Sequence, residues 1–128
     1  MVGILLITHG RIGDALLDTA KSILGKMTTP VATLSTNRAQ STEQLIAKAQ
    51  GLVNDLDQGE GVLVLTDLYG STPHNITKHL ENQTSTVSGL NISMLLRALN
   101  YANYPLQDLA EKAQQGGLKG ICCQSQDN

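Results

Sequence analysis

The chain has 128 residues, a net charge of −2 and three tyrosines as its only aromatic residues. This length predicts a single domain, residues 1–128, with an aliphatic core. The acidic balance and the scarcity of aromatic side chains argue against nucleic acid as a partner, because phosphate backbones need a basic surface and bases need stacking platforms. No apolar run reaches the ~18 residues of a membrane span, and no signal-peptide pattern is present, so we expect a cytoplasmic protein without direct membrane insertion.

Short apolar runs alternate with helical patterns along the chain. Residues 2–7, 31–34 and 62–66 predict strands, of which the first and third are apolar enough to be buried on both faces. Residues 86–90 predict a fourth strand. Residues 118–123, after the last helical pattern, predict a fifth.

Five helices are expected between these strands. The first has an apolar stripe built on Ile12, Leu16, Ala20 and Ile23, is widened by Leu17 and Leu24, and should stop at Gly25. The second begins with a capping-box pattern over residues 41–44 and runs to residue 56. The others are expected over residues 73–80 with Thr72 as the N-cap, over residues 93–100, and from residue 105 to about residues 116–117.

This alternation predicts an α/β fold with an open, mainly parallel sheet and helices on both faces. A strand order of 2-1-3-4, with the fifth strand at the C-terminus, would put the topological switch point between strands one and three. Reactive groups collect at the carboxyl ends of such strands. His9 follows the first strand and Asp67 follows the third, so the sequence predicts that the two side chains lie side by side.

An imidazole beside a carboxylate has a clear chemical use. Asp67 would accept a hydrogen bond from one ring nitrogen of His9 and leave the other nitrogen with an outward lone pair. Gly70, Ser71 and Thr72 follow Asp67 and could bind an anion through backbone amides, hydroxyls and a helix N-terminus. Together these residues predict phosphoryl transfer to His9, which requires no metal or organic cofactor.

Each of these residues also has a structural explanation. His9 could be a hydrogen-bonded surface histidine, Asp67 a turn residue and Thr72 an N-cap only. His74 and His79 are five residues apart, which does not match the spacing of a helical metal pair, and His74 is expected near the mouth of the site. A metal site formed by His9, Asp67 and His74 has weak support.

At these residues the sequence resembles the EIIA component of the mannose family of the sugar phosphotransferase system. The similar elements are Thr8, His9 and Gly10 at the end of the first strand, and Asp67, Gly70 and Pro73 after the third. A third similar element covers residues 89–96. The chain departs from the family in the turn at residues 70–73, which reads Gly-Ser-Thr-Pro instead of the usual Gly-Gly-Ser-Pro.

The resemblance implies that His9 accepts a phosphoryl group from the phosphocarrier protein HPr and passes it to a IIB component, with Asp67 orienting the ring. It also implies a homodimer in which a C-terminal strand crosses to the partner's sheet. Because these 128 residues include no IIB domain, the acceptor is expected in trans.

Two alternatives remain open from the sequence. In the first, phosphorylation of the same histidine is only a regulatory signal, with no supply to a sugar transporter. In the second, the chain is a receiver-like domain with Asp67 as phosphoacceptor. That alternative requires an acidic pair after the first strand to hold magnesium, and Thr8, His9 and Gly10 stand there instead.

Overall fold

The computed structural model describes residues 1–126. Its strands are β1 (Gly3–His9), β2 (Val31–Thr36), β3 (Val62–Thr66) and β4 (Thr84–Ser88). All neighbouring pairs are parallel, and the strand order is β2-β1-β3-β4. The predicted α/β class, parallel sheet and strand order are therefore confirmed.

The two inner strands, β1 and β3, form the centre of the core. Every residue of β3 is buried, and so is every residue of β1 except His9 at its end. Inner strands of a parallel sheet are covered by helices on both faces, which is why their sequences are unbroken apolar runs. The edge strand β4 is half-buried throughout and correspondingly polar.

The helices form two layers. α1, α4 and α5 pack on one face of the sheet, and α2 and α3 pack on the other. None of the helices within residues 1–126 is long and apolar enough to cross a bilayer. Their bounds are α1 (Ile12–Leu24), α2 (Thr42–Leu56), α3 (Thr72–Ile76, followed by a 3-10 turn at Thr77–His79), α4 (Ile92–Asn100) and α5 (Leu106–Lys119).

The ends of α1 and α2 follow the sequence signals, but the buried face of α1 matches the predicted stripe only in part. The capping box of α2 forms, and Gly25 ends α1 with a φ of 73°. Ile12 and Ile23 were expected in the apolar stripe of α1 but are 45% and 58% exposed, whereas Leu17 and Ala20, also expected there, are buried together with Gly13. Gly13 lies on the buried face because α1 approaches the end of β1 closely there. A Cβ at Gly13 would lie 3.1 Å from the Thr8 hydroxyl oxygen.

The fourth strand begins and ends two residues earlier than expected, at Thr84 and Ser88. Its register is fixed by pairing with β3, in which Thr84 is opposite Val62 and Ser88 is opposite Thr66. Gly89, with a φ of 86°, then turns the chain out of the sheet.

The predicted strand over residues 118–123 is wrong for its first two residues, which belong to α5. That helix continues through Gly116 and Gly117, where a Cβ would lie 2.7 Å from Arg97 Cβ and 2.9 Å from Met94 Cε, respectively. The two glycines therefore serve close packing of α5 on α4, and this packing outweighs their low helix propensity. Residues 121–126 are exposed and form neither helix nor strand within the described chain. Strand exchange in a dimer stays a prediction.

Candidate functional site

The candidate site lies at the carboxyl edge of the sheet, between β1 and β3. The chain leaves β1 toward β2 on one side, while β3 lies on the other side of β1, so the strand order reverses at this point. A crevice forms at such a reversal because the two connections diverge to opposite faces of the sheet. His9 is the last residue of β1, and Asp67 immediately follows β3.

The side chains of His9 and Asp67 form a close pair. His9 Nδ1 lies 2.9 Å from Asp67 Oδ2, and the backbone amide of His9 donates to the same oxygen at 3.0 Å. Both hydrogen bonds accepted by the carboxylate therefore come from His9, and Oδ1 has no partner among the described residues. The His9 side chain is 49% exposed and that of Asp67 is 11% exposed. A mostly buried carboxylate thus fixes an accessible imidazole.

This arrangement selects one tautomer of the ring. A carboxylate can only accept, so a neutral His9 must carry its hydrogen on Nδ1. The other nitrogen, Nε2, then has a lone pair, and it makes no hydrogen bond within residues 1–126. Such a nitrogen can act as a nucleophile or a general base.

Thr8 fixes the backbone that carries His9, a role that the sequence did not reveal. Its side chain is buried, and its hydroxyl accepts a hydrogen bond of 2.8 Å from the Gly13 amide at the start of α1. On the other side, Thr36 of β2 donates its hydroxyl to the Thr8 carbonyl at 3.2 Å, and its own carbonyl accepts from the Gly10 amide at 3.0 Å. The sequence signal for this role was a threonine at the end of an apolar strand.

The turn after Asp67 differs from the prediction at the start of α3. The N-cap is Ser71, and Thr72 is already the first helical residue. Ser71 makes no capping hydrogen bond, because its hydroxyl donates to the Leu68 carbonyl at 2.6 Å. Gly70 supplies the positive φ of the turn, at 77°, while Ser71 has a φ of −85° and needs no glycine.

A cleft of about 380 Å³ contains His9 and Thr72. Of the predicted anion-binding residues, only Thr72 lines this cleft; Gly70 and Ser71 lie in the adjoining turn. The opposite wall is the connection between β2 and α2, for which the sequence predicted no site residue. Since β2 neighbours β1, its C-terminal loop must lie beside His9, and this was the missed signal. The cleft residues from the end of β2, from this connection and from α2 are Thr36, Asn37, Arg38, Gln40, Thr42 and Leu45.

His74 does not line the cleft that contains His9. It lies in a second cleft of about 540 Å³, together with Asp67, Tyr69 and Ser88, between the ends of β3 and β4. Its ring packs against that of Tyr69 at a centroid distance of 4.6 Å. The described residues contain no cluster of three histidine, cysteine or acidic side chains placed to hold a metal, so the suggested site of His9, Asp67 and His74 is not formed.

Comparison with known protein families gives a match over most of the chain. Residues 3–114 match the family model described as the fructose IIA component of the phosphotransferase system. The chain belongs to this EIIA family. Its members are phosphotransferases of the sugar phosphotransferase system and in general act between HPr and a IIB component. The resemblance inferred from the sequence is confirmed.

Individual EIIA relatives agree with this assignment. The chain is 31% identical over 101 residues to the mannose-specific EIIAB component of Escherichia coli, a match of 77% of this chain and 31% of that protein. It is also 31% identical over 108 residues to the transcriptional regulatory protein LevR of Bacillus subtilis, covering 80% of this chain and 11% of LevR. The chain thus spans about a third or less of these curated relatives.

A solved EIIA structure has the same fold. The phosphotransferase component EIIA from Streptococcus agalactiae superimposes with a TM-score of 0.83 at 27% identity, covering 96% of this chain and 97% of that one. The receiver-like alternative gains no support from these comparisons, and the residues after β1 are Gly10, Arg11 and Ile12 instead of an acidic pair.

Proposed function

We propose that this EIIA protein accepts a phosphoryl group from HPr on Nε2 of His9 and transfers it to a IIB component. The observation that carries the proposal is the contact of 2.9 Å between His9 Nδ1 and Asp67 Oδ2 at the switch point. It supports a fixed tautomer, and the exposed ring supports access by a protein donor and a protein acceptor in turn.

Neither the His9 ring nor the donor's ring gains or loses a proton in the proposed transfer. The Nε2 lone pair of His9 attacks the phosphorus, and the P–N bond of the donor's phosphohistidine breaks, returning its electron pair to the donor ring. His9 keeps its hydrogen on Nδ1, so its ring becomes a cation when Nε2 is phosphorylated. The Asp67 carboxylate, 2.9 Å away, then forms a charge-assisted hydrogen bond to that cation. Asp67 therefore stabilises the product as well as orienting the ring.

The turn of Gly70, Ser71 and Thr72 is the proposed support for the phosphoryl oxygens. Thr72 lines the cleft with His9 and offers a hydroxyl, and Gly70 allows the backbone to turn toward the crevice. Because α3 has only five residues, its dipole contributes little, and we assign the stabilisation to individual amides and the hydroxyl. Positioning and charge stabilisation are sufficient for this transfer, so the mechanism uses no cofactor.

Radiolabelling with phosphoenolpyruvate, enzyme I and HPr tests this proposal. The wild-type chain should gain a phosphate that is labile in acid and stable in base, as expected for a phosphohistidine. His9→Ala should abolish the label, whereas His74→Ala and His79→Ala should retain it. Label that persists in His9→Ala would refute the assignment of the phosphoacceptor.

A second candidate function is regulatory: phosphorylation of His9 reports the state of the phosphotransferase system without supplying a sugar transporter. The similarity to the transcriptional regulatory protein LevR favours it. Mixing the phosphorylated chain with IIB components separates the two functions. Rapid onward transfer to a cognate IIB component supports transport, while retention of the label, together with a protein partner that binds only one phosphorylation state, supports regulation.

We also propose a homodimer formed through the free edge of β4. That strand is at the end of the sheet, and residues 121–126 beyond α5 are exposed and long enough to pair with it. Light scattering on the full chain and on a chain truncated after Gly120 tests this proposal. A dimer that becomes a monomer on truncation supports strand exchange. The same oligomeric state for both chains refutes it.

A further inference from the structure

Arg38 occupies a hydrogen-bonded turn beside the candidate phosphoacceptor. The Gln40 amide donates to the Asn37 carbonyl at 3.4 Å, which closes a four-residue turn around Arg38. Two side chains reinforce it: Asn37 Oδ1 accepts from the Ala39 amide at 2.9 Å, and Gln40 Oε1 accepts from the Asn37 amide at 3.2 Å. Every one of these hydrogen bonds fixes the backbone, and none involves the Arg38 side chain.

The guanidinium of Arg38 has no anionic partner. The side chain is exposed and makes neither an ion pair nor a hydrogen bond with any residue of the described part of the chain. It lines the cleft of about 380 Å³ that also contains His9 and Thr72. No acidic residue lines that cleft, whose other polar groups include the Thr42 hydroxyl and the Gln40 side-chain amide. The cleft therefore has a cation and hydrogen-bond donors but no anion of its own.

We propose that Arg38 binds the oxygens of the phosphoryl group while His9 carries it. This inference rests on the proposed phosphorylation of His9. A guanidinium is always charged and presents paired N–H donors that match two phosphoryl oxygens. Thr72 and Arg38 then hold the group from opposite walls of the cleft, with His9 between them. Arg38 thereby stabilises the phosphorylated state relative to the free histidine.

The equilibrium of phosphoryl exchange with HPr isolates this effect from protein docking. At equilibrium the label divides between HPr and the EIIA chain according to the free energies of the separated proteins. Contacts made only in the docked complex change the rate and leave this partition unaltered. A cation that contacts the phosphoryl group changes the partition itself.

The experiment measures this partition for wild type, Arg38→Ala, Arg38→Lys and the matched control Arg11→Ala. Arg11 is an equally charged, exposed residue two positions after His9, but it does not line the cleft. We expect Arg38→Ala to shift the partition toward HPr by about tenfold, the effect of one charge-assisted contact. Arg38→Lys should recover part of that loss, and Arg11→Ala should stay within about twofold of wild type.

The outcomes separate this inference from the proposed function. An unchanged partition in Arg38→Ala, even with slower transfer, assigns Arg38 to docking and overturns the inference. An equal shift in Arg11→Ala overturns it too, because a general surface field would then explain both. A wild-type chain that takes no label at all refutes the phosphorylation of His9 itself. Melting curves of the variants confirm that each is folded.

Discussion

Replacement of Asp67 by asparagine isolates the charge of the carboxylate from its shape. The wild-type carboxylate accepts two hydrogen bonds, both from His9, at 2.9 Å and 3.0 Å. In Asp67→Asn the side-chain carbonyl can still accept one of them, but the negative charge that is proposed to stabilise the phosphorylated ring is lost. If the amide turns its NH₂ group to the ring, Nδ1 must accept and the hydrogen moves to Nε2, which removes the attacking lone pair.

Both consequences slow phosphorylation. A hydrogen bond to a charged group contributes about 1.5–3 kcal/mol, compared with about 1 kcal/mol for a neutral one. Loss of the charge alone therefore removes about 0.5–2 kcal/mol of stabilisation from the phosphorylated ring, and the wrong tautomer adds to this loss. We expect the rate of phosphoryl transfer from HPr to fall roughly 10- to 100-fold in Asp67→Asn.

The rate of phosphoryl transfer is measured by rapid quench. Labelled phospho-HPr is mixed with the EIIA chain at a subsaturating concentration, and the label on the EIIA chain is followed over time. Asp18→Asn is the matched control, because Asp18 is an exposed residue of α1 and changes the net charge equally. A rate for Asp67→Asn within about threefold of Asp18→Asn would refute the assigned role, since the carboxylate would then be a structural acceptor only.

Three further predictions concern the scaffold. Thr8→Val leaves the Gly13 amide without its buried acceptor and should lower the free energy of unfolding by about 1–3 kcal/mol in urea titrations. Gly116→Ala should lower the melting temperature because its Cβ meets α4, whereas Gly51→Ala, in open space on α2, should raise stability by up to about 1 kcal/mol. The Asn82 side chain, and then two turn amides, hold the pKa of Asp57 below its usual range. That stabilisation is present at neutral pH and lost as pH falls through the lowered pKa. The difference in free energy of unfolding between wild type and Asp57→Ala, measured by urea titration, should therefore shrink in acid.

The parts of the site that could be predicted from sequence are those fixed by the inner strands. Residues of β1 and β3 form unbroken apolar runs, which indicate burial on both faces and hence a parallel sheet. His9 and Asp67 lie just beyond these runs, at the carboxyl edge, and the strand order brings these two residues together. This is why the contact of His9 with Asp67 followed from the sequence without any knowledge of side-chain geometry.

The parts that could not be predicted depend on packing between elements distant in sequence. Gly116 and Gly117 resemble a helix end locally, but they remain helical because α4 requires their small size. Ser71, and not Thr72, stands at the N-cap position of α3, and its hydroxyl donates to the Leu68 carbonyl within the turn instead of capping the helix. Arg38 carries no local signal at all, since only the position of β2 beside β1 brings it near His9.

The site divides into a rigid half and an open half, and the proposed chemistry needs both. Buried Thr8 and mostly buried Asp67 fix the backbone and tautomer of His9, so the lone pair that attacks is defined before any partner arrives. The half-exposed ring and the turn that carries Arg38 face solvent, which leaves them accessible to the proposed donor and acceptor proteins. If the ring were buried more deeply, neither partner could reach Nε2; if Asp67 were exposed, water would weaken its hydrogen bond to the ring. Placing the carboxylate at the end of one inner strand and the histidine at the end of the other meets both requirements.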